Sequence, residues 1–135
     1  MANLKIERVD NSNSIELEKV VLNVLAETNL KLYAIIDKTF DAEGETDVFI
    51  HFYHFLDQLV KQGDIVMLHS GRGTNGITGP DLIRRLPRVY HYYWGSKSCV
   101  WNDKGDTAKL IRFKVIQSIA VPPVNPPQKL TLRFK

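Results

Sequence analysis

The hydrophobic positions alternate with polar ones through most of the chain, in short runs separated by turn formers. Leu4-Lys5-Ile6-Glu7-Arg8-Val9 opens with the two-residue period of a strand, and Asp10-Asn11-Ser12-Asn13-Ser14 then forms a turn cluster. Leu30 to Ile36 alternates Leu30, Leu32, Ala34 and Ile36 against Lys31, Tyr33 and Ile35, a strand with one well-buried face. Asp41 to Glu45 is a turn. Val48 to Phe55, dense in β-branched and aromatic residues, is expected as a central strand buried on both faces. Gln62-Gly63-Asp64 turns the chain into a further strand, Ile65 to His69.

The second half continues in the same style. Ser70 to Pro80 holds four glycines (Gly71, Gly73, Gly76 and Gly79) and is expected as a flexible loop. Asp81 to Leu86 predicts one helical turn stopped by Pro87, and Val89 to Trp94 an aromatic strand. Gly95 to Ser98 leads into Cys99-Val100-Trp101. Asn102-Asp103-Lys104-Gly105 is a turn, and Asp106 to Ile116 a long strand. Val121 to Pro127 is a stiff, Pro-rich connector to a terminal strand in which Leu130, Leu132 and Phe134 alternate with polar neighbours.

One segment supports two periods. In residues 15–26, Leu17, Val20, Val21, Val24 and Leu25 fall at helical spacing behind a Ser14 cap. The same residues also alternate as a bulged strand through Ile15, Leu17, Val20, Leu22 and Val24. Either way, seven or more short strands with at most short helical turns predict an all-β sandwich or barrel. At 135 residues the chain has the length of a single domain spanning 1–135, with the connector at 121–127 leading to one last strand of that domain.

Composition narrows the chemistry. Hydrophobic residues make up 44% and charged residues 24%, proportions that suit a packed core and not a disordered chain. A net charge of +3 permits contact with nucleic acid without requiring it. The lone cysteine, Cys99, cannot close an internal disulfide or supply a thiolate cage. No stretch reaches the roughly 18 apolar residues of a membrane span, and the N-terminus carries no leader-type run, so the expectation is a cytoplasmic chain without membrane contact.

A longer pattern runs through the middle of the chain. It begins with Asp64-Ile65-Val66-Met67-Leu68-His69-Ser70-Gly71-Arg72-Gly73-Thr74 and continues in Tyr93-Trp94-Gly95. It ends in Val100-Trp101-Asn102-Asp103-Lys104-Gly105-Asp106-Thr107-Ala108-Lys109-Leu110. This resembles the lamin tail domain family. Upstream, Glu18 to Asn23 and Leu32 to Asp37 resemble that family's first paired strands, so the likeness covers roughly residues 15 to 113. The resemblance implies an immunoglobulin-like β-sandwich in which residues 18–25 form a strand. Trp101 and Leu110 would face its core, with Asn102 and Gly105 taking turn geometry. Two features depart from the family pattern: the longer insert from Ile77 to His91, and the Pro-rich tail.

No catalytic constellation emerges, and no cofactor is expected. His51 and His54, three apart on a strand, point to opposite faces and cannot share an ion. His69 and His91 could converge with Asp64 or Asp81, and a metal-dependent hydrolase using His69, His91 and Asp81 is the rival reading. Gly71-Arg72-Gly73-Thr74-Asn75-Gly76 matches bare Gly-x-Gly-x-x-Gly spacing, but no long helix follows and no Lys-Ser/Thr ends it. Cys99 lies on an expected core strand, and Ser70 lacks a nucleophile-elbow setting. The basic residues remain. Arg84, Arg85, Arg88 and Lys97 occur with no acidic residue from 83 to 101, interleaved with Tyr90, Tyr92, Tyr93 and Trp94, and Arg72 is a further candidate. The expectation is a non-enzymatic module that grips a protein or a nucleic acid through this patch, with self-association through a sheet edge as a further option.

Overall fold

The computed structural model describes residues 2–11, 13–41, 44–101 and 107–124, with 38–50 described by backbone alone. Ten strands follow in chain order: β1 Leu4–Asp10, β2 Lys19–Val24, β3 Thr28–Asn29, β4 Tyr33–Asp41, β5 Gly44–His54, β6 Leu59–Val60, β7 Ile65–His69, β8 Gly76–Thr78, β9 Val89–Tyr93 and β10 Thr107–Arg112. The described residues are all-β, with one 3-10 turn at Leu30–Leu32. No helix among the described residues is long and apolar enough to cross a membrane.

The strands form a five-stranded sheet in the order β1-β2-β7-β9-β8 and a three-stranded sheet in the order β10-β4-β5; β3 and β6 make a small separate pair. The two larger sheets pack face to face as a sandwich. Alternate residues of β2 (Val20, Leu22, Val24), β7 (Val66, Leu68) and β9 (Tyr90, Tyr92) point inward from the first sheet. They meet Tyr33 and Ile35 of β4, Tyr53 of β5, and Ala108 and Leu110 of β10. Trp101 fills the same core, which makes it one of the largest apolar groups there.

Residues 19–24 are a strand, so the two-residue period prevails over the helical one. In a helix Leu22 would point away from Val20 and Val24. As β2 they share one face, and each is at most 3% exposed. Pairing on both sides, with β1 and β7, satisfies the backbone.

Four local expectations are corrected. The segment from Leu30 begins as a 3-10 turn because the Asn29 side chain accepts from Lys31 N–H at 3.0 Å, and the strand starts only at Tyr33. From there both faces are buried, since Ala34 and Ile36 are covered as well as Tyr33 and Ile35. The central strand of the second sheet is therefore β4, and β5 is an edge on which Phe52 remains 51% exposed. Cys99 to Trp101 is not a strand although Val100 and Trp101 are buried. Finally, β10 stops at Arg112, after which residues 113–124 run without regular structure. The expected turn at 102–105 and the terminal strand after 129 fall outside the described residues.

A buried carboxylate replaces strand pairing at Cys99–Trp101. Glu18 has no exposure, and its Oε1 accepts from the N–H groups of Val100 (2.6 Å) and Trp101 (3.2 Å). The Asn11 amide, with its nitrogen facing inward, donates to Trp101 C=O at 2.9 Å and to Glu18 Oε2 at 3.3 Å. Thus the segment just before β2 clamps the backbone that delivers Trp101 to the core.

Candidate functional site

β7 and β9 pair in parallel, with Met67 opposite His91 and His69 opposite Tyr93. Their inward residues belong to the core, so His69, His91 and Tyr93 share the outer face. The His69 ring stacks on Tyr93 (centroids 4.6 Å, 14°) and on His91 (5.2 Å, 19°). His69 Nε2 lies 3.0 Å from His91 Nδ1, and His91 Nε2 lies 2.9 Å from Thr78 Oγ1 on β8. A single proton fits each of these contacts, so at least one ring must be neutral for the pair to bond. Burial lowers the pKa of His69, with His91 and then Lys19 adding to the effect; burial alone lowers that of His91. The histidines are thus a neutral seam joining β7, β9 and β8.

Asp81, their expected third partner, is elsewhere. It sits in the turn between β8 and β9, beside residues 61–64 at the start of β7, whereas His69 ends that strand. Five residues of strand, on the order of 15 Å, separate the two levels. Asp64 is spent on its own turn, where its carboxylate accepts from Lys61 N–H at 2.9 Å. Among the described residues no three histidine, cysteine, aspartate or glutamate side chains are arranged to hold a metal. His51 bonds the buried Asp37 and meets Trp94, while His54 bonds Lys31 C=O and meets Phe113, so these two serve separate packing contacts. At Cys99, lost solvation and then the Glu18 carboxylate raise the thiol pKa, the opposite of what activates a nucleophile.

The Gly-rich segment is more ordered than its composition suggests. It contains β8, which pairs antiparallel with β9, and Asn75 Oδ1 accepts from Tyr93 N–H at 3.1 Å. At Gly73 a Cβ would lie 2.4 Å from the Tyr93 ring, so only glycine permits this approach.

Residues 79–88 form a projecting finger in place of the expected helical turn. Asp81 and Leu86 exchange both backbone hydrogen bonds, at 3.0 and 2.8 Å. The Asp81 carboxylate accepts from the N–H groups of Ile83 (3.1 Å) and Arg84 (3.0 Å). These bonds give the backbone a closed turn, and Arg85 completes it in the left-handed region at φ 58°. Gly79, at φ 70°, closes the base, where a Cβ would lie 2.5 Å from Pro87 C=O. At the tip Leu82 is 85% and Ile83 96% exposed, with Arg84 and Arg85 beside them.

The five basic residues therefore do not form one patch. Arg84, Arg85 and Arg88 belong to the finger and its base, where Arg88 C=O accepts from Ile65 N–H at 2.9 Å. Arg72 and Lys97 lie at the other end of β7 and β9, along a cleft that also includes His69 and Tyr93. Of the four aromatic residues, Tyr93 alone accompanies charges, at the cleft with Arg72 and Lys97; Tyr90 and Tyr92 are buried, and Trp94 packs on Trp101. Sequence reasoning located the cations but missed the apolar tip. Its available signal was the pair Leu82-Ile83 beside two arginines, bracketed by Pro80 and Pro87.

No protein-family model matches the chain, and no curated protein matches it.

Proposed function

We propose that the chain is a non-enzymatic β-sandwich binding module, immunoglobulin-like and of lamin-tail type, that docks on a protein partner through the finger at 79–88. The observation that carries this reading is the nearly complete exposure of Leu82 and Ile83 on a turn that backbone and Asp81 bonds hold in shape. A preformed turn loses little freedom on binding, and burying each side chain would contribute about 1.5–3 kcal/mol. The neighbouring arginines suit a partner whose apolar pocket has an acidic rim. The lamin-tail likeness rests on the Ser70-Gly71-Arg72-Gly73, Tyr93-Trp94-Gly95 and Trp101-to-Leu110 patterns, and the sandwich agrees with it.

Nucleic acid is the second reading, favoured by Arg84, Arg85 and Arg88 and weakened by the burial of Tyr90 and Tyr92. The test places a photoreactive residue at Ile83 in the cells that make the protein. A discrete protein adduct, lost when Leu82→Ser is added, is the expected result. Adducts that are absent or unaffected by Leu82→Ser would sink the docking role. Anisotropy of labelled duplex and single-stranded DNA over a salt series, with the Arg84/Arg85/Arg88 alanine triple variant, decides the second reading: salt-sensitive binding lost in the variant would favour it.

A further inference from the structure

Backbone hydrogen bonds also tie together the segments that follow β7 and β9, at the end opposite the finger. Trp94 N–H donates to His69 C=O (2.8 Å), Gly95 N–H to Gly71 C=O (2.9 Å) and Ser96 N–H to Ser70 C=O (2.9 Å). These bonds hold residues 69–71 and 94–96 as a fixed rim. Beside it lies an open cleft of about 460 Å³, bordered by His69, Arg72, Tyr93, Lys97 and Glu16 among others. That volume lies within the range of small-molecule sites.

The charges along this cleft are unspent. Among the described residues neither Arg72 nor Lys97 has a hydrogen-bond or ion-pair partner, and the same is true of Glu16. The Ser96 hydroxyl proton, by contrast, is committed to Ser98 C=O at 2.6 Å. Two cations bordering one concavity repel each other until an anion lies between them, and phosphate oxygens match both a guanidinium and an ammonium group. Glu16 adds a carboxylate, an acceptor for a ligand hydroxyl and a repellent for a second phosphate. Ile15 and the Tyr93 ring supply apolar wall.

We propose that this cleft binds a small phosphomonoester that also carries hydroxyl groups, its phosphate held by Arg72 and Lys97 and a hydroxyl by Glu16. The ligand class is that of a sugar phosphate. The site is independent of the finger, at the other end of the same strand pair, so either could fail alone.

The experiment is an amide-shift titration of the full chain by NMR, with ribose 5-phosphate and with inorganic phosphate as probes. Ribose 5-phosphate is expected to give saturable shifts confined to residues 15–16, 69–73 and 93–97. The Arg72→Ala/Lys97→Ala variant is expected to bind at least about ten-fold more weakly, the loss of one charge-assisted contact or more. Arg84→Ala/Arg85→Ala should bind as the parent does. Inorganic phosphate should bind several-fold more weakly than the ester, and Glu16→Ala, which removes the acceptor, should erase that difference. All substituted side chains here lie on the surface, so unchanged amide spectra elsewhere will show that the fold is kept. Shifts that do not saturate, or that follow the finger arginines as strongly as Arg72 and Lys97, would overturn the site. Equal affinity for inorganic phosphate and ester would overturn the assignment of the hydroxyl-bearing ligand.

Discussion

Replacing Glu18 should be among the most damaging single changes available to this fold. Its carboxylate is fully buried and bonds two backbone N–H groups of a segment that has no strand partner. Glu18→Ala leaves the Val100 and Trp101 N–H groups buried and unpaired, at about 1–3 kcal/mol each. It also empties the space of two side-chain carbons, adding about 1 kcal/mol. A total loss of about 3–7 kcal/mol follows, which for a domain of this size lowers Tm by roughly 10–25 °C. Glu18→Gln retains an oxygen that can accept both N–H groups. Its loss should be about 1–2 kcal/mol, the part due to charge.

Urea unfolding followed by tryptophan fluorescence measures both variants. The chain has two tryptophans, Trp94 and Trp101, whose rings meet at 6.0 Å, so release of the Trp101 segment changes the signal directly. The expected order is parent, glutamine, then alanine. An alanine variant within 1 kcal/mol of the parent, or a glutamine variant as unstable as alanine, would refute the clamp.

Stability should also decline on acidification through the histidine seam. Burial lowers the folded-state pKa of both His69 and His91 below the ordinary value near 6.5, so the unfolded chain takes up protons first. The stabilisation is present above pH ~6.5 and lost as pH falls through the folded-state values; a His69→Gln variant with an equally steep decline would contradict this. Gly73→Ala should cost about 1–3 kcal/mol, because its Cβ would displace the Tyr93 ring from its stack, and near-parental urea stability would disprove the tight approach. Cys99 should alkylate with iodoacetamide at pH 7.5 more slowly than a free peptide thiol and faster in Glu18→Gln, since lost solvation and the Glu18 charge both hold its pKa up. A parental rate equal to the peptide's would remove that account.

The sequence was legible where one face of an element is buried. β7 and β9 follow their two-residue alternation closely, because each must bury every second side chain against the opposite sheet, whereas a bulge between Ile6 and Arg8 interrupts it in β1. It was less legible where both faces are covered, as at β4, since a continuous apolar run does not say which sheet position it occupies. Residues 30–32 and 79–88 were misread for a common reason: the side chains of Asn29 and Asp81 bond nearby backbone and override periodicity over three or four residues. Glu18 gave no warning, for nothing in its neighbours marks a carboxylate whose partners lie 82 and 83 residues away. The basic residues were countable, but their division between two places was not, because it depends on which strands are adjacent.

That adjacency also explains why two surfaces of different chemistry exist here. Antiparallel neighbours need only a short turn, whereas β7 and β9 run parallel, so residues 70–88 must carry the chain from the end of one strand back to the start of the other. The return path leaves along the cleft rim at 70–73, lays β8 against the outer edge of β9, and arrives through the finger. Its two extremities are therefore forced to opposite ends of the sandwich, one with unpaired cations beside a concavity and one with apolar side chains on a projection. The core contacts of β7 and β9 hold both in place. A substitution within either surface should thus leave the other intact, while a disturbance of the parallel pair, such as a charge introduced at Leu68, should disable both along with the fold.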